Sequence, residues 1–452
     1  MKSINPVNNQ LIREYRDHTP EEVKEIILAV HKEWENWKQT SFEYRAGLFR
    51  NAAKILRSNK ESYARLMTDE MGKIIRESRS EIEKCAVCCD YFALHAADLL
   101  KDQVIPSDAS RSFVTFQPLG VILAVMPWNF PFWQLFRFAA PSMMAGNGAV
   151  MKHASNVPGC ALAIEDVFRQ AGFPAGIFRT LMIPSSMVET ILSDPLIAAV
   201  TLTGSEYAGA RVASLAAKNI KKSVLELGGS DPFVVLDDAN LDNAVVTAVT
   251  ARMINQGQSC IAAKRFIVME KIRDEFINRL KQEVEKLVTG DPFDPGTQVG
   301  PMARVDLADE LDRQVQRSVA MGAMLVSGGK RPDRKGCYYS PTILTGIKKG
   351  MPVYHEETFG PVFSIISVNS EEKAITVAND SEFGLGGSVW TNDVKRGEQF
   401  ARKVETGAMF VNGLTKSDPR LPFGGIKKSG YGRELGEYGI KEFVNIKTIW
   451  IA

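Results

Sequence analysis

Three short stretches carry residue types that could share one reaction. In NQGQSC (255–260), Cys260 ends a polar, glycine-containing approach, and regular structure resumes just after it at IAAKRFIVME. A thiol on such a turn has a free backbone N–H beside it, and a thiolate attacking an aldehyde develops an oxyanion that needs such a donor. A free cysteine is also commonly a small buried hydrophobe, and the local sequence leaves both readings open. In VLELGGSDP, Glu226 lies inside a strand-like apolar run, 34 residues before Cys260. A carboxylate there is costly to bury unless paired or used, and desolvation would raise its pKa towards the range of a general base. The alternative is a charged strand end at the surface. In PWNFP (127–131), two prolines fix the backbone, Trp128 and Phe130 anchor it, and Asn129 is the single polar side chain. Its amide can donate to an oxyanion, or it can satisfy a turn.

These groups need elements to hold them. At 452 residues the chain is too long for one ordinary core, so two or three domains are expected. Apolar residues make up 45% and charged residues 24%, which fits a globular protein and not a disordered one. Lys plus Arg is 55 against 53 for Asp plus Glu, which gives no electrostatic reason to expect nucleic acid or an anionic membrane. MKSINPVNNQLIREYRDHT lacks the apolar core of a signal peptide, and LGVILAVMP (119–127) is too short to span a membrane. A cytoplasmic protein is expected.

Six cysteines make no disulfide framework in a chain of this length. Cys85, Cys88 and Cys89 in EKCAVCCD have no second cluster to complete a metal site, and the five histidines form no HxxxH pair, so no metal is expected. The cysteines are read onto a helix that follows a polar helix around Ile74–Glu83, with Cys85 and Cys89 one turn apart on a buried face.

The first hundred residues read as helices, the first opened by Thr19-Pro20-Glu21-Glu22, an N-cap, a first-turn proline and a capping glutamate. From about 112, SFVTFQPLGVILAVMP gives two strands parted by Pro118-Leu119-Gly120. Strand-like GAVMKH, FRTLMI, AAVTLTG and SVLELGG then alternate with helical PGCALAIEDVFRQAG, SMVETILS and EYAGARVASLAAK. This alternation implies an α/β fold with a parallel sheet and ligands at the carboxyl ends of its strands. A second α/β region runs from DPFVVLDDAN to about 424. The terminal VNIKTIWIA alternates like a strand and is expected to pair with 112–117 or with another subunit.

Taken together, PWNFP, MKHASNVP, TLTGS, LELGGSDP, GQSC, EETFGPV and PFGGIKKSGYGRELGEYG resemble, in order and over nearly the whole chain, the NAD(P)-dependent aldehyde dehydrogenase superfamily. The resemblance is closest to its succinate-semialdehyde dehydrogenases. It implies a Rossmann-like cofactor-binding domain (1–110 and 119–229, with part of 425–442), a second α/β catalytic domain (230–424), and a small β oligomerisation element (111–118 and 443–452). A homodimer or homotetramer follows from that element. The chain begins some tens of residues later than many members, so their N-terminal arm is expected to be absent. By resemblance Cys260 is the nucleophile, Asn129 and the Cys260 amide form the oxyanion hole, and Glu226 activates the water that hydrolyses a thioester. Glu434 resembles a proton-relay residue. The lysine often found after position 137 is replaced by Phe138, and Ala262 stands where some relatives carry a second cysteine.

There is no GxGxxG. The family uses a strand followed by Thr203-Gly204-Ser205, whose amides and helix N-terminus can meet a pyrophosphate. By resemblance Lys152 reaches the adenosine ribose, Trp128, Leu227 and Gly228 line the cofactor cleft, and Glu357 and Phe359 hold the nicotinamide ribose and ring. NAD-preferring members often carry a glutamate where this chain has Ser155. Its absence removes a charge that would repel a 2′-phosphate, so NADP is the expected cofactor, with NAD second. Phe130, Trp133, Gln134 and Arg137 share a helical face by spacing and are expected to line the aldehyde tunnel. Arg137 matches an arginine that binds the substrate carboxylate in succinate-semialdehyde dehydrogenases, with Ser417 and Ser259 as helpers. The expected small-molecule substrate is succinic semialdehyde. Glutaric semialdehyde, an aliphatic or an aromatic aldehyde is the alternative, and a non-catalytic dinucleotide-binding protein is the remote one. A CoA-acylating member is disfavoured by Glu226, which such relatives tend to lack.

Overall fold

The computed structural model describes all 452 residues. The chain opens with a hairpin, Lys2–Asn5 against Gln10–Glu14, where helix is expected from the sequence. Its second strand is exposed throughout, so no buried alternation marks it. Asn5 and Asn9 make the turn instead: the Asn9 amide donates to the Asn5 carbonyl at 2.7 Å, with Asn9 at a left-handed φ of 61°. Helices Pro20–Trp37, Phe42–Ser58, Lys60–Met71 and Ile75–Leu99 follow. The first has the expected capping box: Thr19 and Glu22 each accept from the other's backbone amide. Ile75–Leu99 is one continuous helix that carries both the polar segment and the cysteines, in place of the two helices expected. No glycine or proline interrupts 75–99, so nothing in the backbone breaks it. Cys85, Cys88 and Cys89 are buried on it.

Six strands form the first sheet, in the order Gly430–Tyr431, Lys222–Glu226, Ile197–Thr203, Val121–Met126, Gly148–His153, Phe178–Thr180. All neighbours are parallel except the first pair. The strand order reverses direction at Val121–Met126, so a crevice opens at the carboxyl ends of Val121–Met126 and Ile197–Thr203. Asn129 and Thr203 follow or occupy those ends, and Glu226 closes the neighbouring strand. The strands read as unbroken apolar runs because helices cover both faces.

A second sheet has seven strands: Met324–Ser327, Thr342–Thr345, Val362–Val368, Arg265–Met269, Pro232–Val235, Ser388–Trp390 and Phe410–Val411. Only its first pair is antiparallel. One large apolar core fills the first unit, while two smaller cores lie in the second. The terminal strand Val444–Ile451 pairs antiparallel with Arg111–Pro118 from Val444↔Pro118 to Ile451↔Arg111, so the intramolecular pairing is the one formed. No helix is long and apolar enough to cross a membrane, and no group of His, Cys, Asp or Glu is arranged to hold a metal ion.

Candidate active site

Three carboxylates from the N-terminal helices fix the elements that carry the chemistry. Helix Pro131–Met144, which follows PWNFP, and helix Pro158–Gln170 both lack a cap from their own sequence. Glu81 supplies the first, accepting from the Phe132 and Trp133 amides at 2.9 and 3.0 Å. Glu70 supplies the second, accepting from Gly159 and Cys160, each at 2.9 Å. Glu77 accepts from the Asn255 amide at 2.8 Å and so ties the same N-terminal layer to the cysteine loop. Each anion sits where unpaired N–H groups collect positive potential.

The loop before Cys260 is wound left-handed at three successive residues: Asn255, Gln256 and Gly257 have φ of 51°, 55° and 78°. Two of these are not glycine, and each such residue costs on the order of 1 kcal/mol. Gly257 has no alternative, since a Cβ there would strike the Gly360 carbonyl. Two buried cations hold the loop from beneath. Arg252 donates to the carbonyls of Ala263 (2.9 Å), Gly257 (2.5 Å) and Thr358 (3.2 Å). Lys264 donates to those of Ser259 (3.0 Å), Cys260 (2.8 Å) and Ala262 (3.3 Å), and lies 3.4 Å from Glu357. Burial lowers the pKa of both, that of Arg252 to about 9. Neither cation stands out in the sequence, where "ARMINQGQSCIAAKR" offers only basic residues near a cysteine.

Cys260 itself is half-buried and unpaired in any disulfide. Burial pushes its thiol up to about 12, while Arg137 and Lys264 pull the other way. It therefore rests as a thiol and must give up a proton to react. Asn129 is buried beside it. The Asn129 side-chain amide donates to the Gln258 carbonyl at 3.1 Å, and its oxygen accepts from Gln134 at 2.9 Å. Those two bonds fix the orientation of the amide and leave its second N–H to donate.

Glu226 ends its strand fully inside the protein, so it is not a charged surface end. Neither carboxylate oxygen has a hydrogen-bond partner, and burial drives its pKa well up, against the pull of Arg137. Glu434 is also buried and raised by burial, and it forms an ion pair with Arg137. Arg137 is thus interior, as the helical spacing required, but it does not stand free for a substrate. Its guanidinium is paired with Glu434, donates to Thr203 Oγ at 3.2 Å and stacks 4.5 Å from the Phe423 ring. Cys260, Glu226 and Glu434 all lie within its electrostatic reach.

The expected tunnel face divides. Gln134 turns to Asn129, Phe130 lies 3.8 Å from the Lys73 ammonium, and Trp133 stacks under Lys84, whose Nζ is 4.2 Å from the ring. Lys84 also donates to Ser417 Oγ at 2.7 Å. Lys84 is easily passed over in EKCAVCCD, where the cysteines draw the eye. Its one signal is a lysine four residues before Cys88, on the buried face. Ser259 is buried next to the nucleophile.

A cavity of about 360 Å³ runs from Cys260 outwards between Trp128, Thr203, Gly204, Ser205, Leu227, Gly228, Glu357 and Phe359. Side chains would close it: a Cβ on Gly228 would collide with Glu357. Glu357 also accepts from the Gly229 amide at 3.0 Å, and Phe359 meets Trp128 edge-on at 5.8 Å. The Gly204 amide, expected to face a pyrophosphate, donates instead to the Glu226 carbonyl at 3.0 Å, so the phosphate-facing donors are those of the helix beyond it. Ser205 caps that helix, Glu206–Lys218, and Leu227 packs on its Gly209. A second cavity of about 400 Å³ lies between this helix and Val188–Ser193, lined by Val125, Leu202, Tyr207, Ala208 and Val212 among others. Lys152, at the end of its strand, donates to Ser185 at that cavity's rim at 3.1 Å. Ser155 is exposed and lines a different cavity, of about 500 Å³, together with Asn156 and Arg304.

Comparison with known proteins agrees with this geometry. Residues 1–449 match the aldehyde dehydrogenase family. The chain is 51% identical to a probable succinate-semialdehyde dehydrogenase [NADP(+)] of Synechocystis sp. over 450 residues, 100% of this chain and 99% of the relative. It is 48% identical to succinate-semialdehyde dehydrogenase [NADP(+)] 1 of Mycobacterium tuberculosis, with the same coverage. Among solved structures, succinic semialdehyde dehydrogenase from Streptococcus pyogenes in complex with NADP+ superposes with a TM-score of 0.98 at 39% identity, covering 100% of this chain and 99% of the other. With its thiol, amide, buried carboxylate and two-part cleft gathered at the strand ends, the chain belongs to the aldehyde dehydrogenase family.

Proposed function

We propose that this protein oxidises succinic semialdehyde to succinate with NADP+ as hydride acceptor. One observation carries the reading: a half-buried thiol and an unpartnered buried carboxyl share the field of Arg137 at the floor of a cleft sized for a dinucleotide. When bound, NADP+ supplies a hydride acceptor and a positive ring charge. Trp128, Glu357 and Phe359 would border its reactive end, Leu227, Gly228, Thr203, Gly204 and Ser205 its middle, and Lys152 and Ser155 its ribose phosphate.

The Cys260 thiol gives its proton to water in the open cleft it lines, and Arg137 and Lys264 favour the resulting thiolate. A C–S bond forms to the aldehyde carbon, and the oxyanion accepts from the Asn129 amide and the Cys260 N–H. The thiohemiacetal collapses by expelling hydride and leaves a thioester on Cys260. Glu226 takes a proton from water, the hydroxide attacks the thioester carbonyl, the C–S bond breaks, and succinate leaves as the thiol re-forms. Glu434, paired with Arg137, relays the proton from this interior. Arg137, Trp133, Ser259 and Ser417 border the aldehyde.

Initial rates of NADPH or NADH formation over a panel of semialdehydes and neutral aldehydes test this. The highest kcat/KM is expected for succinic semialdehyde with NADP+. A roughly tenfold advantage for NAD+ sinks the cofactor reading, and equal treatment of butanal sinks the substrate reading. We also infer a cytoplasmic homodimer or homotetramer. The strand Val444–Ile451 is an edge of its sheet and exposes Ile446, Trp450 and Ile451, a surface suited to a second copy.

A further inference from the structure

Lys84, half-buried near the site, has no anion within ion-pairing distance, and unlike Arg252 it has not spent its donors on carbonyls. Lys73 has Glu81, Arg137 has Glu434, and Lys264 has Glu357. Glu81, one turn before Lys84 on the same helix, is fully committed to Lys73 and to the Phe132 and Trp133 amides. What Lys84 has is the Ser417 hydroxyl at 2.7 Å and the Trp133 ring at 4.2 Å. An ammonium offers three N–H donors, so this arrangement leaves at least one unused. Ser417, accepting from Lys84, keeps its own hydrogen to donate. The pair is a two-donor cradle with one positive charge and an aromatic floor.

The cradle is also close to the reaction. Trp133, whose ring Lys84 faces, lies on the helix that also carries Arg137 and Gln134, and Gln134 bonds Asn129 beside Cys260; Arg137 acts electrostatically on both Lys84 and Cys260. The charge of Arg137 is already balanced by Glu434, whereas that of Lys84 has no such partner.

We propose that Lys84 is a specificity-determining residue, whose ammonium, with the Ser417 hydroxyl, binds the distal carboxylate of a short aldehyde acid. This rests on the proposed substrate and assigns its carboxylate a second cation besides Arg137. A charge-assisted pair of this kind is worth roughly tenfold to a hundredfold in binding.

The test compares kcat/KM for succinic semialdehyde and for butanal in the intact enzyme, Lys84→Met and Lys84→Arg, each with saturating NADP+. The ratio of the two values is expected to fall at least roughly tenfold in Lys84→Met and to be largely restored in Lys84→Arg. Lys84→Gln, which still bonds Ser417 but carries no charge, serves the same purpose where the methionine variant does not fold. An intact enzyme that prefers succinic semialdehyde beside an uncharged variant with the same preference overturns the assignment of Lys84 alone. An intact enzyme that treats both aldehydes alike overturns the substrate reading, and this assignment with it.

Discussion

Beneath Cys260 and beside it lie two sets of buried charges with opposite states of satisfaction. Below, Arg252 and Lys264 spend their donors on six carbonyls of the loop and its neighbours. Beside it, Glu226 has no partner for either oxygen, and Arg137, paired with Glu434, acts electrostatically on both that carboxyl and the thiol. A saturated network resists rearrangement, because any movement strands a buried donor. An unsaturated one exchanges protons and takes up new partners. The floor therefore holds a strained loop still, and the side wall does the chemistry.

The sharpest way to separate the two is Glu226→Gln. It keeps the shape of the side wall and removes the base, so steady-state turnover is expected to fall roughly 10²- to 10⁴-fold. Rapid-mixing measurements should still show a first burst of NADPH, because hydride departs before hydrolysis. Loss of the burst as well would place Glu226 at the earlier step, as the base that takes the thiol proton.

Lys264→Met probes the floor. Three carbonyl bonds and the Glu357 contact go, and removing such charged hydrogen bonds costs about 1.5–3 kcal/mol. Thermal unfolding should come several degrees earlier, and the burst itself should slow as the loop loosens. A variant with normal melting and a slow burst would mean that Lys264 acts on the thiolate by charge and not by holding the loop.

The mildest test needs no mutation. Burial, then Arg137, lower the Lys84 ammonium from its ordinary value to about 8, with Glu81, Cys85 and Cys88 pulling it back up, and uncharged Trp133 and Ser417 complete its surroundings. Below pH 8 the charge is present, and above it the charge is lost. The ratio of kcat/KM for succinic semialdehyde over butanal should therefore decline by about tenfold from pH 7 to pH 9. Ionisation of Cys260 affects both aldehydes and divides out. A ratio flat across this range would show that the carboxylate is held by the permanently charged Arg137 instead.

The same contrast governs which residues the sequence discloses and which it hides. Cys260, Asn129 and Glu226 stand out because each is chemically odd for its local pattern: a thiol on a polar turn, an amide between prolines, a carboxylate in a strand. The alternation of strands and helices reveals the first sheet, since a fully covered parallel sheet writes itself as apolar runs. The floor is silent. Arg252 and Lys264 sit in ordinary helical and loop contexts, and their value lies in which carbonyls they face, which only folding decides. Glu70, Glu77 and Glu81 look like a helix's solvated charges, yet they accept from amides far along the chain. Spacing places Arg137 inside correctly, but its partner is almost three hundred residues away and no periodicity points to it. The hairpin at the start is hidden for the converse reason, having no buried face to leave a pattern.

The strand Gly430–Tyr431 and Glu434 come from the far end of the chain, yet they complete a sheet and an ion pair begun in its first half. Arg137 lacks its direct ion-pair partner until residue 434 is made, and a buried guanidinium without that partner weakens the interior around it. A chain that stalls earlier carries the Cys260 thiol without its finished surroundings. Removing the residues from 430 onwards therefore takes away a sheet strand and a buried counter-charge at once, and such a truncated chain is expected to be more open to proteolysis than the full one.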